Sequence, residues 1–178
     1  SSSSAASDVY KRQDLYDLGI LFECLGFYAV PLSLTGCLVD VAQTLQKFSK
    51  NDNHQSIVSS IVKGEIYTSA ILEPLNHDPE NPTTTAVFDG DKVIINGSKY
   101  LSEISSLAKG ILISASSNKG VILVLVKTDN VKLTQLTSTA NSPLFKVELN
   151  NVSIEQSDIV HQEGRGLETL RYLSLIHI

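Results

Sequence analysis

The stretch VFDGDKVIINGSKYLSE, residues 87–103, alternates apolar residues with polar ones around one Asp-Gly and one Asn-Gly. Alternation at every second position is the mark of a strand with one buried face, and Asp89-Gly90 supplies a tight turn because glycine accepts a positive φ. The stretch therefore predicts a hairpin. Working outward, the period stays at two from Glu65 to about residue 150, and β-branched residues dominate. Strands are predicted near 66–72, 84–89, 92–99, 109–116, 120–127, 131–136 and 143–150, with Asn118-Lys-Gly120 turning the fourth into the fifth.

Upstream the period is helical. Leu15, Leu18, Leu21, Phe22 and Leu25 recur at three- and four-residue steps from a possible Asp14 cap and fade near Gly26. After Pro31, the residues Leu34, Leu38, Val41, Ala42, Leu45 and Phe48 make a second helical pattern, which the polar run Ser49 to Gln55 breaks. Ile57, Val58, Ile61 and Val62 form a third that stops at Gly64, suited to a left-handed C-terminal position. The expected class is α+β: N-terminal helices followed by an antiparallel β-sandwich or barrel-like domain of about seven strands.

The expected organisation is a leader at 1–13, the end of a helical domain at 14–64, a β-domain at 65–160, the start of a C-terminal helical domain at 161–172 and a tail at 173–178. The leader SSSSAASDVYKRQ carries no apolar period that could cover a core, and both it and the tail LSLIHI resemble translated sequencing-adapter sequence, so the chain reads as a fragment of a longer frame.

The chain has 178 residues, is 42% hydrophobic and carries a net charge of −5, with its 14 Lys and Arg scattered singly. That is enough apolar content for a core, and it offers no basic footprint for nucleic acid or anionic lipid. Cys24 and Cys37 have no metal-like spacing, and a reduced, cytoplasmic setting is the default. Residues 18–39 are long and apolar enough to span a bilayer, with Glu23 as their one charge. That carboxylate would cost roughly 2.5–3.5 kcal/mol inside a bilayer. With Pro31, Ser33 and Thr35 in the middle, two buried helices meeting at a bend account for the segment better, and no membrane is expected.

Chemistry-bearing residues are few. The loop from Ile71 to Thr84 holds three of the five prolines and gathers Glu73, His77, Asp78 and Glu80. Loops of this length are often functional. A metal site or an acid/base pair is conceivable there, but without helical spacing a solvated loop is the reading with fewer assumptions. No nucleophile motif is present, and His54 and His161 read as turn and loop residues. Gly164-Arg-Gly166 before the Leu167, Leu170 pattern could cradle a phosphate or simply start a helix.

Several motifs lie in register along residues 14–172: Lys63-Gly-Glu65, Leu72-Glu-Pro74, Asp89-Gly90, Ile95-Asn-Gly-Ser-Lys99, Leu133-Thr-Gln-Leu136, Phe145 to Val152 and Glu163-Gly-Arg-Gly-Leu-Glu168. Together they resemble the acyl-CoA dehydrogenase family. The resemblance implies a helical domain, a middle β-domain and a C-terminal helical bundle. It also implies α,β-desaturation of an acyl-CoA thioester with FAD as hydride acceptor, an electron-accepting flavoprotein as partner, and a homo- or hetero-oligomer. No catalytic residue falls in this chain, because the family's glutamate base lies in the C-terminal bundle. As a fragment, the chain is expected to be inactive; a non-catalytic homologue serving as a structural or partner subunit is the alternative.

The same resemblance implies flavin contacts at Ser69, Ile71 and Leu72 and at Leu101, Ser102 and Glu103, and substrate contacts at Asn76, His77 and Asp78. Leu72 stands where the family has a threonine hydroxyl, and Leu101 stands where it has an aromatic wall. A Glu103 carboxylate facing inward is expected to disfavour flavin reduction.

Overall fold

A computed structural model of the chain describes residues 15–30, 34–139, 143–161 and 165–176. The whole expected leader at 1–13, Asp14, Pro31 to Ser33 of the expected bend, residues 162–164, which include part of the Gly-Arg-Gly motif, and the last two residues of the expected tail lie outside the described residues. The chain divides into two compact units at Leu32/Ser33.

The first unit holds α1, Leu15–Phe27. It closes with Val30 N–H donating to Leu25 O at 2.9 Å and Ala29 N–H donating to Gly26 O at 3.0 Å, with Ala29 at φ 49°. This is the left-handed closure that a glycine usually provides. No helix among the described residues is long and apolar enough to cross a membrane.

The second unit opens with α2, which winds widely with i→i+5 bonding over Thr35–Gln43 and tightens to an ordinary α-helix over Thr44–Phe48. The chain then turns for only three residues. Asn51 caps α3, Asp52–Val62, by accepting from Asn53 N–H at 2.8 Å. The polar run expected to break the helices therefore does so only as far as Asn51; its second half is the first turn of α3, because Asn and Asp favour helix starts. Gly64, at φ 97°, ends that helix as expected.

Seven strands follow: β1 Tyr67–Ala70, β2 Thr85–Asp89, β3 Lys92–Glu103, β4 Gly110–Ser117, β5 Gly120–Lys127, β6 Lys132–Leu136 and β7 Leu144–Glu155. They form one mixed sheet, in the order β1-β4-β2-β3-β7-β6 with β5 beside β4. The sheet curls into a half-barrel. Most pairings are antiparallel, and β1 runs parallel to β4, with Tyr67 opposite Gly110 and Ala70 opposite Ile113. The last helix of the described residues, α4, spans Gly166–Ile176.

The two faces of β4 and β5 explain why these strands read as near-continuous apolar runs. Ile111, Ile113, Ala115, Ile122, Val124 and Val126 point into the curl of the sheet, where they meet Val93, Ile95 and Val147. Leu112, Leu123 and Leu125 point outward and are covered by Val41, Leu45, Ile61, Leu170 and Leu173 of the helices. Strands sealed on both sides need apolar residues at consecutive positions. Leu173, the first residue of the expected tail, is 1% exposed in this layer.

Candidate functional site

Three segments of the second unit converge at the carboxyl end of β1. Ser69 to Leu72 come from the end of that strand, Tyr100 to Glu103 from the end of β3, and Thr35, Gly36 and Asp40 from the start of α2; with Pro79 they enclose a cleft of about 620 Å³. That volume lies in the range of small-molecule sites, ~300–1,000 Å³.

Local sequence explains the convergence. At Gly36 an added Cβ would stand 2.9 Å from Thr68 Oγ1, so glycine lets α2 come this close to β1 without displacing the Thr68 side chain. In β3 the register with β7 slips between Lys99 and Ser102, and Leu101 takes φ 57°. A bulge of this kind re-aims side chains; here Leu101 is 44% exposed at the cleft while Ser102 is buried. Hydrogen bonds tie the two strand ends together. Tyr100 N–H donates to Leu72 O at 2.8 Å, Ser102 Oγ donates to Ser69 O at 2.8 Å and Thr68 Oγ1 donates to Glu103 O at 2.9 Å.

Five of the six residues expected at a flavin, namely Ser69, Ile71, Leu72, Leu101 and Glu103, thus line one cleft. Ser102 sits behind the wall as a tie between strands, with Ser105 Oγ 2.7 Å from its own Oγ. Of the expected substrate residues, Asn76 and Asp78 mainly build their own loop. Asn76 Nδ2 donates to Glu73 and to Asn81 O, and Asp78 accepts from Glu80 N–H and Asn81 Nδ2. His77 is exposed. Arg171 of α4 grips Glu80 through two bonds of 2.8 and 2.9 Å. Among the described residues no group of three His, Cys, Asp or Glu could hold a metal.

The sequence reading put Glu73 with a solvated cluster, and the structure removes it from there. Its carboxylate is buried against Lys99 Nζ at 2.7 Å and also accepts from Thr83 N–H, Thr83 Oγ1 and Thr84 N–H at 2.6, 2.6 and 2.9 Å. Burial raises the Glu73 carboxyl, but the bonds from Lys99, Thr83 and Thr84 outweigh it and hold the group well below the usual carboxylate range. Burial lowers the Lys99 ammonium, and Glu73 acts in the opposite sense. Lys99 Nζ also reaches Ser114 Oγ at 3.0 Å. The pair anchors both strands just behind the cleft. A lone lysine ending an apolar strand was the signal for it.

Asp40 was also missed. It is 1% exposed, accepts from Ser69 Oγ and lines the cleft. An acid between Val39 and Val41 on a buried helix face was the readable sign. His161 accepts from Leu123 N–H at 3.0 Å, a structural role, and burial pushes the Cys37 thiol up, away from reactivity.

No protein-family sequence profile and no curated protein matches the chain by sequence. Solved structures do match it in fold. One is a glutaryl-coenzyme A dehydrogenase in complex with glutaryl-CoA, with a TM-score of 0.72 and 20% identity over 80% of this chain and 39% of that one. Another is a glutaryl-CoA dehydrogenase from Mycobacterium smegmatis in complex with FADH2, with a TM-score of 0.67 and 20% identity over 74% and 36%. A third is the ChsE4–ChsE5 complex from Mycobacterium tuberculosis, with a TM-score of 0.79 and 21% identity over 89% and 43%. This chain spans about two fifths of the length of each of them. On these likenesses, the greater part of the chain has the fold of the acyl-CoA dehydrogenases.

Proposed function

We propose that this chain is part of a divergent FAD-dependent acyl-CoA dehydrogenase-type protein and that its cleft receives the flavin ring. The observation that carries the reading is the convergence of Ser69, Ile71 and Leu72 with Leu101 and Glu103 on one cleft of suitable size. Its lining mixes apolar Ile71, Leu72 and Leu101 with polar Ser69, as a flat ring with a polar edge requires. The glutaryl-CoA dehydrogenase with FADH2 supports it by analogy of fold.

When bound, FAD would accept the hydride as an acyl-CoA thioester is desaturated. The chain's own part is to orient and cover the ring. Backbone groups of 69–72 supply polar contacts that do not depend on side-chain identity, Leu101 covers a face, and the Glu73–Lys99 pair keeps the two strand ends in register. Acyl-CoA, an electron-accepting flavoprotein and further subunits are proposed partners of the whole protein.

The test is titration of FAD into the purified chain, followed by flavin fluorescence. Saturable quenching that weakens when Leu101→Asp is introduced is expected. No quenching by either protein would overturn the assignment.

Leu72 and Leu101, in place of a hydroxyl and an aromatic wall, favour a second reading: a homologue that completes an assembly without doing chemistry. It requires flavin to bind only after a second, different chain is added.

A further inference from the structure

We infer that Ser69 recognises the flavin through the ring N–H: its hydroxyl gives its proton to Asp40 and can therefore only accept a hydrogen bond from what occupies the cleft. The inference rests on the flavin reading of the same cleft.

The fold fixes the direction of this hydroxyl. Tyr67 of β1 packs in the layer under the helices, while Ala70 points into the curl of the sheet. Alternation along the strand puts Ser69 on the Tyr67 side, facing α2. Gly36 brings that helix close, and Ser69 Oγ donates to Asp40 Oδ2. A hydroxyl has one proton and two lone pairs, and a carboxylate accepts only, so the direction of the bond holds whatever else Asp40 touches. Asp40 is 1% exposed, which leaves water little access to compete for that proton. Ser69 is also held from behind, where its carbonyl accepts from Ser102 Oγ at 2.8 Å. Half-buried in the wall of the cleft, Ser69 keeps the lone pairs of Oγ for a ligand.

The chemistry of the ring turns this into a preference. The oxidised isoalloxazine carries one N–H, flanked by two ring carbonyls. A hydroxyl free to turn could donate to a carbonyl or accept from the N–H, and would tolerate a ring whose N–H is replaced. A hydroxyl committed to Asp40 sets lone pair against lone pair at a carbonyl, so the N–H is the group it can bind. Asp40 is then a positioning residue that acts through Ser69, and the cleft selects a ligand that presents a donor.

The experiment titrates FAD, and FAD methylated at the ring N–H, into the full chain and follows flavin fluorescence. FAD is expected to bind at least about fivefold more tightly than the methylated form, the worth of about one neutral hydrogen bond. Ser69→Ala should bring the ratio of the two affinities toward one by removing the acceptor. Asp40→Leu should do the same with Ser69 still in place, because the freed hydroxyl can donate to a ring carbonyl that both flavins keep. A cleft that excluded the methyl group by size alone would not respond to Asp40→Leu. Equal affinity of the wild-type chain for the two flavins, or a ratio that either variant leaves unmoved, overturns this inference and leaves the flavin reading standing. Failure of the wild-type chain to bind either flavin overturns both. Should one variant not fold, the other and the wild-type ratio still decide the matter.

Discussion

Lys99 Nζ and Glu73 Oε1 lie 2.7 Å apart with both side chains sealed from solvent, 0% and 2% exposed. One residue ends the regular part of β3 and the other opens the loop after β1, so the pair ties together the two segments that wall the cleft.

Breaking this pair from one side leaves a buried charge. Lys99→Met or Glu73→Leu alone should cost about 3–5 kcal/mol, while the double variant should recover most of the loss because an apolar pair needs no desolvation. Urea unfolding of the three variants checks this. A double variant as unstable as the sum of the singles would refute it.

Gly97 and Gly90 should respond differently to the same change. Gly90 is the first residue of the two-residue β2–β3 turn, at φ 58° with nothing near its missing Cβ, so Gly90→Ala should cost about 1–2 kcal/mol through backbone strain alone. At Gly97 the Cβ would meet Thr84 Cα at 2.7 Å, adding about 1–3 kcal/mol of overpacking. Thr84→Ala should not rescue Gly97→Ala, since the Cα remains. Thermal melts of the single and paired variants decide it.

Acid should act in two stages. His54 is buried with Nδ1 2.6 Å from Ser49 Oγ, and burial holds it below its ordinary value of 6.5, against a raising effect of Asp158. The unfolded chain takes up a proton near 6.5 that the folded chain resists, so stability is full above that pH and falls as pH drops through it. Glu73, held low in the fold, adds a second loss below its ordinary 4.5. Unfolding midpoints across pH should show both declines, and His54→Gln should flatten only the first.

Leu72 is 50% exposed at the cleft. Replacing it with threonine offers a ligand one hydroxyl hydrogen bond, about 1 kcal/mol, so FAD affinity should rise about fivefold by fluorescence titration. A loss of affinity would show that Leu72 contributes as an apolar contact instead.

Leu75 combines φ 61° with 99% exposure. Asparagine tolerates that conformation and removes the exposed apolar side chain, so Leu75→Asn should stabilise the chain by about 0.5–1 kcal/mol in urea unfolding.

Much of this architecture was legible in particular residues. Asp89-Gly90 and Asn118-Lys-Gly120 announced their turns because a tight reversal needs glycine, and all seven strands lie where the alternation placed them. β3 and β7 run longer than expected, since the slip after Lys99 and the left-handed Asn151 interrupt alternation without ending the strand. The helix break at Ser49 to Gln55 was read too wide because a polar run looks the same whether it is a loop or a capped first turn.

The sequence by itself determined the element types and the hairpins, because these follow from local periodicity and turn chemistry, whereas the pairing of 69–72 with 101–103 came only with the family resemblance. Only the tertiary structure decided that Asp40 joins them, that Ser102 is tied behind the wall, and that Glu73 leaves its polar loop to meet Lys99. Each of those outcomes depends on which distant segment supplies the partner. Burial turns such a partner from a minor surface contact into a requirement, and the curl of the sheet, not the local pattern, sets who is buried with whom.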